Sequence, residues 1–255
     1  MKKAMILAAG RGERMRPLTD HTPKPLLSVG GEPLIAWHLK ALAAAGFRDI
    51  TINTAHLAEQ LHQALGDGGQ WELSIRFSDE PVGALETAGG IATAKPWDDE
   101  DQAPFLVVNG DVFTDWDFGQ AASLARAMSQ AGQLACLVLV PNPLHHPNGD
   151  FCLSTPIPTS PANARAVHQL IRANFGPTGE RLTAQESLTY SGIGLFHPKL
   201  FAKTMPGERA ALAPLLFEAA AHQQLCGLVH AGQWTDVGTP QRLADLDQAL
   251  CSQRD

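Results

Sequence analysis

Residues 7–26 read LAAGRGERMRPLTDHTPKPL and follow directly on a short apolar run, KAMILA at 3–8. The run has the length of a buried strand and is too short for a secretory core. The loop behind it crowds together two glycines, three arginines, one lysine and three prolines. Gly10 and Gly12 let a backbone approach a ligand closely, and successive N–H groups in such a loop form an anion-binding nest. Arg14 and Lys24 add full charges, while Pro17, Pro23 and Pro25 stiffen the return path. A unit charge pair at about 4 Å is worth about 4 kcal/mol at an effective dielectric near 20, so a few such contacts would dominate polyphosphate binding.

Known phosphate loops fit this stretch poorly. A dinucleotide fingerprint needs G-x-G-x-x-G running into a helix, but Met15 stands at the third glycine position and Pro17 interrupts any helix. The P-loop pattern G-x-x-x-x-G-K-[ST] is absent. A triphosphate-binding loop and a solvated charged loop remain as readings of the residues themselves.

Beyond the loop, apolar runs alternate with helical patterns. ITINTA (50–55), LSIRFS (73–78), PFLVVNG (104–110) and LACLVLV (134–140) read as strands. Helices are expected over 33–46, with Pro33 near the start and Gly46 as the stop, and over 56–65, 85–95 and 117–130. This alternation predicts a Rossmann-like α/β fold, a mostly parallel sheet flanked by helices, with ligands at the carboxyl ends of the strands. The loops after Ala8, Ser78 and Val108 should share one rim. Residues 141–164, rich in Pro, Asn and Ser, predict a long loop or irregular hairpin. Strands are then expected over 166–171, 187–197 and 226–231, and helices over 208–224 and 240–250. No linker divides the 255 residues, so one domain is expected over 1–255.

Composition bounds the partners. At 44% hydrophobic and 18% charged, the chain can build a sizeable core. A net charge of −7 argues against sequence-independent nucleic-acid binding, and no segment reaches the roughly 18 apolar residues of a membrane span. Cys136, Cys152, Cys226 and Cys251 show no metal or redox spacing and predict reduced thiols in the cytoplasm.

The opening loop resembles the signature of sugar-1-phosphate nucleotidylyltransferases, L-A-(A/G)-G-x-G-x-R-(L/M)-x-P-L-T followed by P-K-P. GEPLI (31–35), VNGD (108–111) and WTDVGTP (234–240) are similar to further segments of that family, in family order and across nearly the whole chain. The resemblance implies the nucleotide-diphospho-sugar transferase (GT-A-like) fold. It further implies a nucleotide-binding part at about 1–140 and a sugar-phosphate part at about 141–255. It assigns the backbone of Ala8, Ala9 and Gly10 to base and ribose, and Arg11, Gly12 and Gly83 to the rest of the nucleotide site. Arg14 and Lys24 become the catalytic cations, and Asp111 and Asp236 the ligands of Mg²⁺. Read by themselves, Asp111 is equally a turn residue after Gly110, and Asp236 an N-cap for the last helix.

The version L-E-T-A-G-G at 85–90 resembles the branch of uridylyltransferases that use N-acetylmuramate 1-phosphate in bacterial cell-wall recycling. UTP and a sugar 1-phosphate are the implied partners, with a monomer or small homo-oligomer as the assembly. Glu86, Thr87 and Gly90 are candidates for the sugar site, as are Asn109, Asn174, Tyr190 and Ser191, beside Asp111. Glu86 is alternatively a helix-start charge, Tyr190 a packing residue, and His145 and His146 part of a solvated loop. Guanylyl transfer to mannose 1-phosphate, thymidylyl transfer to glucose 1-phosphate, and a non-catalytic nucleotide-sugar sensor are the competing functions.

Overall fold

A computed structural model describes residues 3–81, 85–98, 100, 102–157, 167–172 and 187–252. In chain order the strands are β1 (Lys3–Leu7), β2 (Ser28–Val29), β3 (Glu32–Pro33), β4 (Asp49–Thr54), β5 (Ser74–Asp79), β6 (Phe105–Asn109) and β7 (Val112–Thr114). They continue as β8 (Ala135–Val140), β9 (Phe151–Ile157), β10 (Val167–Arg172), β11 (Ser187–Phe196), β12 (Leu225–Val229) and β13 (Trp234–Asp236). The helices are α1 (Leu34–Ala44), α2 (Ala58–Leu65), α3 (Glu86–Ala94), α4 (Ala121–Gln130), α5 (Leu212–Ala221) and α6 (Pro240–Ser252).

Nine strands form the main sheet in the order β5-β4-β1-β6-β11-β8-β12-β10-β9. The first four are parallel, and β12 is parallel to β8, while β11 runs antiparallel between β6 and β8. Central strands are continuous apolar runs because both of their faces are covered. Period-two alternation sends Ile6, Val108 and Val138 to one face with Leu39, Leu61 and Leu124 of α1, α2 and α4. Met5, Val107 and Leu137 go to the other face, against Ile91 of α3 and Leu216 of α5. Each such fully buried side chain contributes about 1.5–3 kcal/mol.

A third apolar cluster joins the chain's distant parts at the opening loop. Met15 packs there with Val29, Leu34, Phe113, Val237, Leu246 and Leu250. Helix α6 thereby clamps the loop, and its Asp247 accepts a hydrogen bond from the Gly30 N–H at 2.7 Å. The short β7–β13 ladder pairs Asp236 with Val112, and the Val237 N–H donates to the Asp111 carbonyl at 2.9 Å. Two motifs 125 residues apart in sequence (Asp111 and Asp236) are neighbours for that reason.

The structure corrects several expected boundaries. Residues 151–157, in the segment expected to be a long loop or irregular hairpin, form strand β9, which pairs antiparallel with β10 through a register shift and with β11, as part of the main sheet. Helix α5 begins at Leu212, not 208, because the preceding turn is engaged elsewhere. There the Ala210 carbonyl accepts from the Ala88 and Gly89 N–H groups of α3. Helix α4 begins at Ala121 behind a 3-10 turn, Phe118–Gln120, whose Gly119 N–H donates to Asp117. The strands of two or three residues, β2, β3, β7 and β13, were not expected. No helix among the described residues is long and apolar enough to cross a membrane.

Candidate active site

Strand order dictates where a ligand fits. From β1 the chain steps outward through β4 to β5, then returns to place β6 on the other flank of β1. A crevice must open beyond the carboxyl ends at that switch point. A cavity of about 390 Å³ lies there, lined by Ala8, Ala9 and Gly10 after β1, Asn53 of β4, Glu80 after β5, and Asn109 and Asp111 at the end of β6. The expected common rim is therefore present.

The glycine–arginine loop closes one side through Gly12, Arg14, Met15 and Lys24. Gly12 sits at φ +68°, and a Cβ there would meet Thr19 Cγ2 at 3.0 Å, so both conformation and space require glycine. The Thr19 hydroxyl donates to the Gly12 carbonyl at 2.9 Å. Arg11 braces the loop from outside: it donates to the Thr19 carbonyl (3.0 Å), pairs with Asp20 (3.3 Å) and reaches His56, and it does not line the cavity.

The cations in the cavity differ in state. Lys24 is only 7% exposed and its ammonium donates to Asp111 Oδ2 at 2.6 Å. Arg14 is exposed, lines the cavity, and forms no ion pair among the described residues. One cation is thus fixed and desolvated, and the other is free to meet an incoming anion. The Asp111 carboxylate faces the cavity and Lys24 rather than its own turn.

Asp236 is not the N-cap of α6. That place belongs to Thr239, whose Oγ1 accepts from the Arg242 N–H at 3.3 Å. Asp236 instead accepts from Arg242 Nη1 at 2.9 Å. Among the described residues no group of three or more His, Cys, Asp or Glu is arranged to hold a metal. Two adjacent backbone segments each bearing one hard carboxylate, already compensated by a cation, still suit a divalent ion that completes its shell from phosphates and water, as Mg²⁺ does.

Opposite the cations lies a network that sequence reasoning missed. The Ala8 N–H donates to Asn53 Oδ1 at 2.8 Å, Asn53 Nδ2 donates to Glu80 Oε1 at 2.6 Å, and the Leu85 N–H donates to Glu80 Oε2 at 2.7 Å. Glu80, 8% exposed, so ties the end of β1 to the start of α3. Gly90 serves this network rather than the cavity wall, since a Cβ there would collide with Glu80 Oε1 and lie 3.0 Å from Asn53 Nδ2. Glu80 left one signal, a carboxylate directly after strand β5 and just before Pro81.

The remaining candidates divide. Glu86 and Thr87 line the cavity, and Glu86 holds φ +58° at the start of α3 while pairing with Arg209 at 2.9 Å. Asn109 also lines it. Ser191 is buried, donating to the Val138 carbonyl at 2.8 Å, and Tyr190 packs against the second core cluster, where burial raises its hydroxyl pKa. Neither reaches this cavity. Gly83 and Asn174 lie outside the described residues. His145 and His146 lie in a solvent-exposed loop as expected, but with partners, His145 standing 3.3 Å from Asp236 and His146 3.1 Å from Asp150.

A glycine–arginine loop, a buried lysine and a rim carboxylate thus meet at the switch-point cavity. The chain belongs to the Nucleotidyl transferase family, which it matches over residues 3–151. It is 48% identical, over 97% of both chains, to the N-acetylmuramate alpha-1-phosphate uridylyltransferase of Neisseria meningitidis serogroup B. The protein of the same description from Caulobacter vibrioides is 33% identical over 94% of this chain and 93% of its own. The fold is shared with UDP-glucose pyrophosphorylase solved with UDP-glucose, at a TM-score of 0.75, 18% identity and full coverage of both chains.

Proposed function

We propose that this chain transfers a uridylyl group from UTP to N-acetylmuramate 1-phosphate and releases pyrophosphate, with Mg²⁺, in cytoplasmic recycling of the bacterial cell wall. One observation carries the reading: Arg14, Lys24 and Asp111 meet in a single cavity of a chain nearly half identical, end to end, to an enzyme described as performing that transfer. Residues at about 1–140 bind the nucleotide in this reading, and residues at about 141–255 the sugar phosphate.

The chemistry needs no side-chain nucleophile. A sugar phosphate with a second pKa of about 6 is largely a dianion near neutral pH. Its oxygen forms a bond to the α-phosphorus of UTP while the bond from that phosphorus to the bridging oxygen breaks, and the electron pair leaves with pyrophosphate. Two polyanions must be held together in line, so positioning and electrostatic stabilisation supply most of the rate. Lys24, fixed by Asp111, meets charge developing on the α-phosphate, and Arg14 closes over the leaving phosphates. The Ala8–Asn53–Glu80 chain holds the backbone that faces the base. Asp111 and Asp236 would hold Mg²⁺, which when bound would supply further neutralisation of phosphate charge.

The test is steady-state pyrophosphate release for each nucleoside triphosphate against N-acetylmuramate, N-acetylglucosamine, mannose and glucose 1-phosphates. UTP with N-acetylmuramate 1-phosphate should give the highest kcat/KM. Turnover only with GTP and mannose 1-phosphate would overturn the substrate choice, and no magnesium-dependent release with any pair would point to a non-catalytic nucleotide-sugar binder.

A further inference from the structure

A second cleft of about 410 Å³ opens where β8 ends and β13 passes. Its walls are largely apolar, from Val140, Pro141, Pro143, Leu144 and Trp234, and Leu144 presents its whole side chain to the outside. Against this apolar lining stands one guanidinium, Arg242, only 20% exposed. Its Nη1 donates to Asp236 Oδ2 at 2.9 Å and lies 2.8 Å from His145 Nε2, while its Nε reaches Thr239 Oγ1 at 3.4 Å. Its Nη2 crowds the empty side of Gly238, where a Cβ would touch it and would also lie 3.0 Å from Arg14 Nη2. Gly238 lines the first cavity, so Arg242 stands in the wall between the two spaces.

The family's reaction requires a place for the sugar phosphate but gives no reason for a second cation in an apolar cleft beside it. N-acetylmuramate supplies one. It differs from N-acetylglucosamine by an ether-linked lactyl group, which carries one methyl and one carboxylate. Asp236 and His145 take up Nη1, which leaves the Nη2 side of the planar guanidinium to donate to a carboxylate, and an apolar wall matches a methyl. We propose that this cleft receives the lactyl group, with Arg242 as the ion-pair partner of its carboxylate and Leu144 and Pro143 against its methyl. Asp236 and His145 are positioning residues that hold the guanidinium toward the cleft. The assignment rests on N-acetylmuramate 1-phosphate being the acceptor. It makes Arg242 a specificity-determining residue that distinguishes a sugar acid from a neutral sugar.

The experiment compares kcat/KM for N-acetylmuramate 1-phosphate and N-acetylglucosamine 1-phosphate, with UTP, in the wild type and in Arg242→Gln, Arg242→Lys and Leu144→Ser. A charge-assisted contact of this kind predicts that Arg242→Gln lowers the ratio of the two values by about 10- to 100-fold. Arg242→Lys, which keeps the charge without the fork, should fall between, and Leu144→Ser should lower the ratio less. If Arg242→Gln does not fold, His145→Ala and Leu144→Ser carry the same ratio test. An equal fall for both acceptors would overturn the assignment, since it would place Arg242 on the phosphates that both share. An unchanged ratio would overturn it as well. A wild type that uses neither acceptor with UTP gives a different result, which overturns the functional reading itself and this assignment with it.

Discussion

Lys24 and Arg242 are each paired with an aspartate of the rim, yet their surroundings contrast. Lys24 is 7% exposed, 2.6 Å from Asp111, and held by a loop that springs from the parallel strands. Arg242 stands in the first turn of α6, 2.9 Å from Asp236, and shares its Nη1 with His145 from a loop after β8. The cavity beside Lys24 mixes polar groups such as Asn53, Glu80 and Asn109 with Leu7, Met15 and Pro25, whereas the cleft beside Arg242 is lined chiefly by proline, leucine and tryptophan. A desolvated, preorganised charge suits transition-state stabilisation. A charge in an adaptable apolar cleft suits a choice between substrates. The parallel half of the sheet should therefore govern rate, and the mixed half should govern which sugar is used.

The comparison breaks first if Lys24 does not control turnover. Lys24→Ala should lower kcat on the order of 100-fold or more, by analogy with loss of one preorganised donor, while leaving the ratio between acceptors in place. Steady-state pyrophosphate release measures both quantities, and near-normal turnover would contradict the role.

The rigidity of that half has a pH signature. His38 of α1 donates from Nε2 to the Val112 carbonyl at 2.7 Å, anchoring the strand beside Asp111. Burial lowers its pKa to about 4, against the opposing pull of the Val112 carbonyl and the Asp111 charge. The unfolded chain protonates this histidine below about pH 6.5, whereas the folded chain resists down to about pH 4. Its contribution is fully present above pH 6.5 and is lost as pH falls toward 4, by up to about 3 kcal/mol. Urea unfolding at about pH 7 and about pH 4.5 should show this loss in the wild type and a flatter profile in His38→Gln. Equal slopes in both would remove His38 from the account.

A smaller effect sharpens the contrast on the base side. Glu80→Ala leaves Asn53 Nδ2 and the Leu85 N–H without their acceptor and should cost about 2–3 kcal/mol in urea unfolding. A cost below about 0.5 kcal/mol would mean that water replaces the carboxylate and the network is not rigid. Least of all, Leu144→Ser should change stability by less than about 0.5 kcal/mol, because its side chain is exposed. A loss of about 2 kcal/mol or more by the same method would make Leu144 a packing residue and the second cleft a part of the core.

Legibility followed the same division. The stretch 7–26 announced a cavity-lining loop because its glycines, charges and prolines lie side by side in the chain. Apolar runs such as KAMIL and ACLVLV announced their strands because burial on both faces leaves no polar position. Asn53 carried no signal and Glu80 only its place before Pro81, since their meaning arises when β4 and the residue after β5 come within 2.6 Å. The ladder β7–β13 is three residues long and leaves no periodic signal, yet it places Asp236 beside Asp111. By sequence Asp236 reads equally as a helix cap, but Thr239 occupies that place. Arg242 carried no signal at all, being one basic residue in a helical first turn, and only its contact with His145 and Asp236 gives it a role.

The central claim is attack by the sugar phosphate on the α-phosphorus of UTP, and phosphorus NMR tests it most directly. N-acetylmuramate 1-phosphate labelled with heavy oxygen on its phosphate would be incubated with the enzyme, UTP and Mg²⁺. The account predicts pyrophosphate together with a nucleotide sugar whose bridging oxygen is heavy, so that the isotope shift appears on both of its phosphorus signals. Product in which the nucleotide phosphorus shows no shift, or release of inorganic phosphate in place of pyrophosphate, would contradict it.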